Sequence, residues 1–535
     1  MSKFLLVGPY DPQCGEYTFL APPLGVWRLA GVLAAAGVEV KVFDPNCCVG
    51  PPDRALEKEI LRETWDVIGM STTGMTLRFD LELAHLARRL APRAFLVAGG
   101  MEATFKPELM FELGPFDRIV LGEGEHPLLE IAERLRSNPS GALDGIRGTA
   151  EKRSDGSVLR IPQPALNREQ LRHAIFSTPY ESMPYEAYWE RLEAAYRVGA
   201  LPTKAAREAS LAEIRSVRLI TLNYCPMGCT FCSSTNFLHE AQGGVAAIAR
   251  LDENECMEMI HRIVAAHPRV RTIIFQDDIF VFTKDRRILA LCDAIVAAKQ
   301  QGTLPRDLQF ICTNRIDAMT PERLTAMRRA GFRVLGFGIE SFSPNVLAEF
   351  NKGQIHRHIE PMLTAALALG MTPFLDLILS SPRASLRDVA ETLREAYRWL
   401  QRGCEIGMYP YVIPFSGAAF ANDATLLPHT QYAHRQVAGT SIEWDQPAKI
   451  LPIDPLVSEA ILRIECAFEA ALAKLQQRAT HLPSRIRSLV WILAAAPIMA
   501  EYGLPIAEEQ EVRTELEARL PQLHRATASR AVVSA

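Results

Sequence analysis

The stretch Asn223-Tyr224-Cys225-Pro226-Met227-Gly228-Cys229-Thr230-Phe231-Cys232 carries the densest reactive chemistry in this 535-residue sequence. Cys225, Cys229 and Cys232 stand in a C-x3-C-x2-C spacing that ordinary buried cysteines do not need. Gly228 between them lets the backbone turn tightly enough for three sulfurs to converge. Thiolates of this kind hold iron–sulfur clusters, and a four-iron cluster ordinarily takes four of them. Three would leave one iron open to another ligand, and an open coordination position separates catalytic from structural metal sites. The alternative is structural zinc with His239 as fourth ligand. Zinc sites favour C-x2-C pairs, however, and a zinc knuckle is not expected where a barrel strand ends. The other eight cysteines (Cys14, Cys47, Cys48, Cys256, Cys292, Cys312, Cys404 and Cys466) show no ligand spacing beyond the adjacent Cys47-Cys48 pair. They read as small buried hydrophobes.

The elements around this loop repeat a strand–helix alternation. Strands are expected at 217–222, 272–275, 308–311, 334–338, 374–379 and 406–411, the pattern of a partial or full β/α barrel. The cysteine loop follows the first of them. Upstream, the first ~135 residues alternate short apolar runs with amphipathic helices, as βαβ units do. Their strands are expected at 4–7, 39–43, 67–70, 95–97 and 118–121. Each is followed by a loop rich in Gly, Pro or hydroxyl residues, and in an open parallel sheet ligands bind outside those carboxyl ends. A dinucleotide would require G-x-G-x-x-G after the first strand, but Gly8-Pro9-Tyr10-Asp11 stands there instead. The fold class is therefore α/β: an N-terminal doubly wound, Rossmann-like domain (1–138), a linker region (139–210) and a partial β/α barrel (211–420). A helical C-terminal region (421–535) follows. Ser154-Asp155-Gly156 reads as a hairpin turn.

Composition narrows the class further. The sequence is 48% hydrophobic and 22% charged, so a disordered or coiled-coil chain is excluded. Its 58 Lys+Arg against 62 Asp+Glu lack the basic surplus of a dedicated nucleic-acid binder. The longest apolar run, Leu489 to Ala500, holds Pro497 and is far shorter than the ~20 residues of a membrane span, so it reads as a core helix. No signal-peptide pattern opens the chain. A cytoplasmic protein with reduced thiols and no transmembrane segment is expected.

The cysteine spacing, with aromatic Phe231 before the last cysteine, resembles the radical S-adenosylmethionine superfamily. The resemblance implies a 4Fe-4S cluster on Cys225, Cys229 and Cys232, whose free iron takes the amino and carboxylate groups of S-adenosylmethionine. Reductive cleavage then yields a 5′-deoxyadenosyl radical able to take hydrogen from an unactivated carbon, a task for a cofactor rather than a side chain. Gln276-Asp277-Asp278 occupies the place of the segment that contacts the methionyl group, although the family's Gly-Gly-Glu form is absent. Thr313-Asn314-Arg315 follows the third strand. Gly338-Ile339-Glu340-Ser341 looks like the family's Gly-x-Glu-Ser segment, which implies that Glu340 lies near the ribose; Lys352-Gly353 also fits.

The N-terminal segments resemble the cobalamin-binding domains that precede such barrels, over roughly residues 1–420 in all. The matching pieces are Pro22-Pro23-Leu24-Gly25-Val26, Asp66 to Ser71-Thr72-Thr73, Val97-Ala98-Gly99-Gly100-Met101-Glu102 and Leu121-Gly122-Glu123-Gly124-Glu125. Small residues at successive strand ends leave a shelf for a flat macrocycle, and Glu123 and Glu125 are placed to accept from its amides. Relatives that ligate cobalt from below use an Asp-x-His-x-x-Gly loop. Here Asp44-Pro45-Asn46-Cys47-Cys48-Val49-Gly50 has no histidine, and Gly74-Met75-Thr76 is the candidate cover for the lower face.

These resemblances imply a cobalamin-dependent radical enzyme, foremost a C-methyltransferase acting on an unactivated carbon of a small-molecule, lipid or peptide substrate. An external electron donor such as flavodoxin or ferredoxin is implied as partner. Cyclisation, oxidation or ring rearrangement without methyl transfer is the alternative. A methylthiolating enzyme would need three cysteines in the first domain, and none lies between Val49 and Tyr224. A non-catalytic cobalamin carrier would have no use for the cysteine loop.

Overall fold

The computed structural model describes residues 2–12, 21–138, 143–201, 203–354, 356–476 and 482–527. Cys14 lies outside them. Two parallel sheets organise the chain. The first contains β1 (Lys3–Val7), β2 (Glu39–Phe43), β3 (Val67–Thr72), β4 (Phe95–Gly100) and β5 (Arg118–Val120). It continues antiparallel through β6 (Thr149–Lys152) and β7 (Val158–Ile161), in the order β2-β1-β3-β4-β5-β6-β7. Two core clusters lie on its faces, one around Leu5, Ile68 and Leu96 and the other around Phe4, Leu6 and Val97, as the period-two exchange of faces along a doubly wound strand requires.

The second sheet holds β8 (Ser216–Leu219), β9 (Thr272–Phe275), β10 (Gln309–Asn314), β11 (Phe332–Glu340), β12 (Thr372–Ile378) and β13 (Glu405–Tyr409), all parallel and in sequence order. It does not close: β8 and β13 are edges, so the partial-barrel reading holds. Phe275, Phe310 and Phe332 on adjacent strands stack at 5.3–6.1 Å and fill its helix-facing core.

An open parallel sheet leaves two rows of unpaired backbone groups, a liability in any fold. The segment expected as a linker covers one of them. Tyr180 Oη donates to Arg218 O (2.9 Å), Tyr185 Oη accepts from Arg218 N (3.1 Å) and Trp189 Nε1 donates to Ser216 O (3.1 Å), all against β8. The apolar helix Ser484–Glu501 covers the other edge, where Ser488 Oγ donates to Ile406 O at 2.8 Å. Residues 139–210 therefore divide. Ser154-Asp155-Gly156 turns between β6 and β7, which complete the first sheet, while Tyr180–Trp189 belongs to the second core.

The reading of 421–535 as helical is corrected over β14 (Thr430–Gln436) and β15 (Glu443–Ile450), an antiparallel hairpin. Its strands are polar on both faces and carry no apolar alternation in sequence. They are held by tertiary contacts: Val437 at the tip is buried in the first domain's core, with Ile442 and Trp444 packed beside it. The helices Pro455–Gln476, Ser484–Glu501 and Glu509–Thr527 follow as expected.

Replacing Tyr180 by Phe removes a buried donor and leaves the Arg218 carbonyl unpaired, with an expected stability loss of about 1–3 kcal/mol. Urea unfolding of the two proteins measures it.

Candidate active site between two strand mouths

The cysteine loop hangs from β8 by one carboxylate. Asp277, buried beyond β9, accepts from Thr221 N (2.6 Å), Thr221 Oγ1 (2.6 Å) and Leu222 N (2.9 Å). Burial pushes its pKa up to about 6 against those bonds. Asp277 thus positions the loop, and its neighbours are the groups that face the mouth. Asp278 is solvent-exposed, hydrogen bonds with Ser234, and its crowded surroundings raise its pKa. Gln276 is half-buried and extends β9 by donating its N–H to Leu219 O.

Within the loop, Gly228 takes φ +63°, and an added Cβ there would meet no atom within 4 Å. Thr235 Oγ1 accepts from Gly228 N (3.0 Å) and donates to Cys225 O (2.8 Å); Cys232 N donates to Cys229 O (3.1 Å). The far side is fastened to the exit of β11, where Thr230 N donates to Phe350 O, and Phe231 packs on Phe350 at 4.9 Å. Cys225, Cys229 and Cys232 are all half-buried. Burial, then Asp278 and the two other thiols, pushes the Cys225 pKa up to about 11; burial also raises that of Cys229. Such thiols become ligands when a bound cation stabilises their deprotonated form. Among the described residues no three His, Cys, Asp or Glu side chains already stand as a metal-binding group. The fold supplies a pinned loop carrying three thiols at a strand end, and that donor set fits an iron–sulfur cluster. The His239 ring packs edge-on against Tyr224 at 5.4 Å.

Across the mouth, Glu340 ends β11 with φ +63°, a left-handed conformation costly for a side-chain-bearing residue. Its carboxylate pairs with Lys352 Nζ at 2.9 Å, both buried. A Cβ on Gly338 would stand 2.5 Å from Glu340 Oε1, so a side chain there would displace this pair. Arg315 is locked bidentate on Asp317 (3.0 and 2.8 Å) and donates to Lys352 O. Ser341 points elsewhere: it is fully buried with its Oγ 2.8 Å from Thr392 Oγ1, and serves packing. Asp376 on β12 is a mouth carboxyl that the sequence reading missed. Burial and then the Glu340 charge push its pKa up to about 7. Its signal was an acid in the otherwise apolar strand Phe374-Leu375-Asp376-Leu377-Ile378.

The first domain's mouth sorts into two sets. Pro23, Leu24, Ser71, Thr73, Gly99, Gly100 and Gly122 are half-exposed around the strand ends. Gly100 takes φ +111°, and a Cβ there would strike Thr72 O at 2.3 Å. Thr72, Glu102, Glu123, Gly124 and Glu125 are buried. Thr72 Oγ1 donates to Gly99 O, Glu123 Oε2 accepts from Leu166 N at 2.6 Å, and Glu125 pairs with Arg28 Nε at 2.6 Å. Glu125 therefore fastens this domain internally, and Glu123 ties it to the segment after β7 that packs into the second core. Buried Asp80, also missed, accepts from Tyr10 N (2.8 Å), Thr73 N (3.4 Å) and Thr76 Oγ1 (2.6 Å), and so holds the loops after β1 and β3. The loop after β2 is bolted by Tyr188 Oη on Asp44 Oδ2 (2.7 Å) and offers no imidazole.

The two mouths face each other. Ser416 Oγ, beyond β13, donates to Glu102 (2.9 Å to Oε2), and Gln446 Nε2 of the hairpin donates to Gly74 O (2.5 Å). A Cβ on Gly122 would come 2.5 Å from Ala241 Cβ on the helix that follows the cysteine loop. A crevice of about 440 Å³ opens beside this seam, lined by Lys106, Asn236, His239, Ser416 and Tyr432 among others.

Comparison with known proteins assigns both halves. Residues 13–132 match the B12 binding domain family and residues 219–396 the Radical SAM superfamily. The chain thus joins a B12 binding domain to a radical S-adenosylmethionine domain. It is 25% identical over 376 residues to an uncharacterized methyltransferase of Pyrococcus horikoshii (70% of this chain, 73% of that protein). It is also 25% identical over 384 residues to cytidylyl-2-hydroxyethylphosphonate methyltransferase of Streptomyces wedmorensis (65% and 67%). It is thus a radical enzyme related to methyltransferases. Its fold matches the radical S-adenosylmethionine methyltransferase TsrM from Kitasatospora setae, a structure with cobalamin and a 4Fe-4S cluster bound, with TM-score 0.66, 14% identity and 99% of this chain against 100% of that one. It likewise matches the cobalamin-dependent radical enzyme OxsB with TM-score 0.63, 16% identity and 98% of this chain against 76% of that one. Among the described residues no helix is long and apolar enough to cross a membrane.

Replacing Cys225, Cys229 and Cys232 together by Ala is expected to abolish iron–sulfur absorbance and 5′-deoxyadenosine formation after anaerobic reconstitution. Zinc in the wild type, or iron retained in the variant, would contradict the assignment. For Asp80, burial pushes the pKa from 3.8 up to about 8. A raised folded-state pKa gives stability that is full below the unfolded value and lost as pH rises through the folded one. Urea midpoints of the wild type should therefore fall from about pH 4 to about pH 8 and level off above that, and Asp80→Asn should flatten the slope.

Proposed function

We propose that this protein is a cobalamin-dependent radical methyltransferase that adds a methyl group to an unactivated carbon of a small-molecule, lipid or peptide substrate. The observation that supports the reading is the seam between the domains, where Ser416 beyond β13 donates to Glu102 and Gly122 meets Ala241 on the helix after the cysteine loop. Two cofactors held on facing ledges can act on one bound substrate, and proximity of this kind removes much of the entropic barrier. When bound, the cluster with S-adenosylmethionine supplies a hydrogen-abstracting radical, and cobalamin supplies a methyl carrier. Cys225, Cys229 and Cys232 would hold the cluster. Asp278, Glu340 with Lys352, and Gln276 line the place of S-adenosylmethionine, while Pro23, Leu24, Ser71, Thr73, Gly99 and Gly100 form the shelf for cobalamin. Asp277 and Arg315 fix the geometry of that mouth. The crevice between the domains is the proposed substrate vestibule, and a flavodoxin or ferredoxin the proposed electron donor.

Methyl transfer is tested with methyl-labelled S-adenosylmethionine. The expected stoichiometry is one S-adenosylhomocysteine and one 5′-deoxyadenosine per product, with label in the product. Turnover that leaves the product unlabelled would reject methyl transfer in favour of cyclisation, oxidation or rearrangement. The loop after β2 yields a second expectation: electron paramagnetic resonance of the Co(II) state should lack the threefold splitting of an axial nitrogen. Observing that splitting would show a ligand the loop does not offer.

A further inference from the structure

We propose that Asn351 is a positioning residue for the iron–sulfur cluster: its amide holds the Gly228 carbonyl outward, which leaves the Cys229 N–H to donate to the cluster and raise its reduction potential. The inference rests on the assignment of the cluster to Cys225, Cys229 and Cys232 above. Asn351 closes the short helix Pro344–Glu349. Lys352 N donates to Leu347 O and Asn351 N to Ala348 O, both at 3.0 Å, and Asn351 takes φ +47°. This is the Schellman arrangement, whose left-handed position is usually filled by glycine. Glycine would complete the cap without steric conflict, so the cap does not require the asparagine side chain.

That side chain crosses to the cysteine loop. Asn351 Nδ2 donates to Gly228 O at 3.0 Å, a contact between residues 123 apart in sequence. A carbonyl only accepts, which fixes the amide with its nitrogen toward the loop. Both residues are exposed, where a single neutral hydrogen bond adds little to stability. Its consequence is directional. A trans peptide is planar, with its C=O and N–H on opposite sides. Drawing the Gly228 carbonyl out to Asn351 therefore turns the Cys229 N–H away from that surface and into the loop. Among the described residues this N–H has no acceptor. The Met227 N–H already hydrogen-bonds to the Cys225 thiol, so backbone donors of the loop do reach its sulfurs. Thr235 Oγ1 holds Gly228 N, and Asn351 and Thr235 together fix two consecutive peptides.

Hydrogen bonds to the sulfurs and solvent exposure both set the potential of an iron–sulfur cluster. Reduction adds negative charge, so a donor aimed at the cluster favours the reduced state. Electron delivery precedes cleavage of S-adenosylmethionine, and the potential decides how readily a flavodoxin or ferredoxin supplies that electron. Loss of an aimed N–H lowers the potential. A loop that only loosens admits water, which stabilises the added charge and raises it. The sign therefore separates a positioning role from a structural one.

The experiment reconstitutes the full-length wild type and Asn351→Gly anaerobically with iron and sulfide and titrates each potentiometrically, with the reduced cluster followed by electron paramagnetic resonance. Glycine keeps the left-handed cap and removes only the amide. Iron content should be equal in the two proteins. The reduction equilibrium constant of the variant should be about tenfold smaller, ~59 mV more negative for a one-electron couple. An unchanged or a raised potential in the variant overturns the proposal. So does a variant that takes up no iron, which would make Asn351 a determinant of loop folding instead. A wild type that forms no iron–sulfur cluster overturns the assignment on which the inference rests.

Discussion

An incomplete parallel barrel has two unpaired edges, and most of this architecture follows from keeping it open while sealing them. Closure would pair β8 with β13 and narrow the mouth. Left open, the sheet presents six strand ends as a broad ledge, but its edge amides and carbonyls must find other partners. Tyr180, Tyr185 and Trp189 meet that demand along β8, and Ser488 does so along β13. Segments with no chemistry of their own are therefore conditions for the site to exist.

The same logic governs the acids around the mouth. Positioning acids such as Asp277 and Asp80 accept backbone N–H groups and tie one strand-end loop to another, and Glu123 does the same for the segment after β7. Ligand-facing acids are left with solvent or with a single partner. Burial raises the pKa in both sets, so a raised value by itself does not mark function. The presence or absence of an internal donor separates them. By that criterion Glu123 and Glu125 leave the cofactor shelf.

Domain apposition rests on a small number of close approaches. Gly122 against Ala241 admits no side chain, Ser416 reaches Glu102, and the hairpin sets Val437 into the first domain's core. The partners lie far apart in sequence, 314 residues for Ser416 and Glu102, and together they make the two mouths a single cavity wall.

The chemistry, most strands and the two-domain plan were legible in the sequence, because they depend on local signals. The C-x3-C-x2-C spacing, the apolar runs at β2 and β9, and the Ser154-Asp155-Gly156 turn each declare themselves within a few residues. The polar hairpin at 430–450, the role of Tyr180–Trp189 and the partners of the acids were not legible. The hairpin has no apolar alternation of its own, and tyrosines that cap a sheet edge look like any core aromatics. Whether an Asp or Glu faces a ligand or a backbone amide depends on donors brought from distant segments. The cysteine spacing by itself determined which thiols can hold a cluster; only tertiary structure decided which carboxylates keep a free lone pair for a ligand, because hydrogen-bond satisfaction is a property of the packed chain.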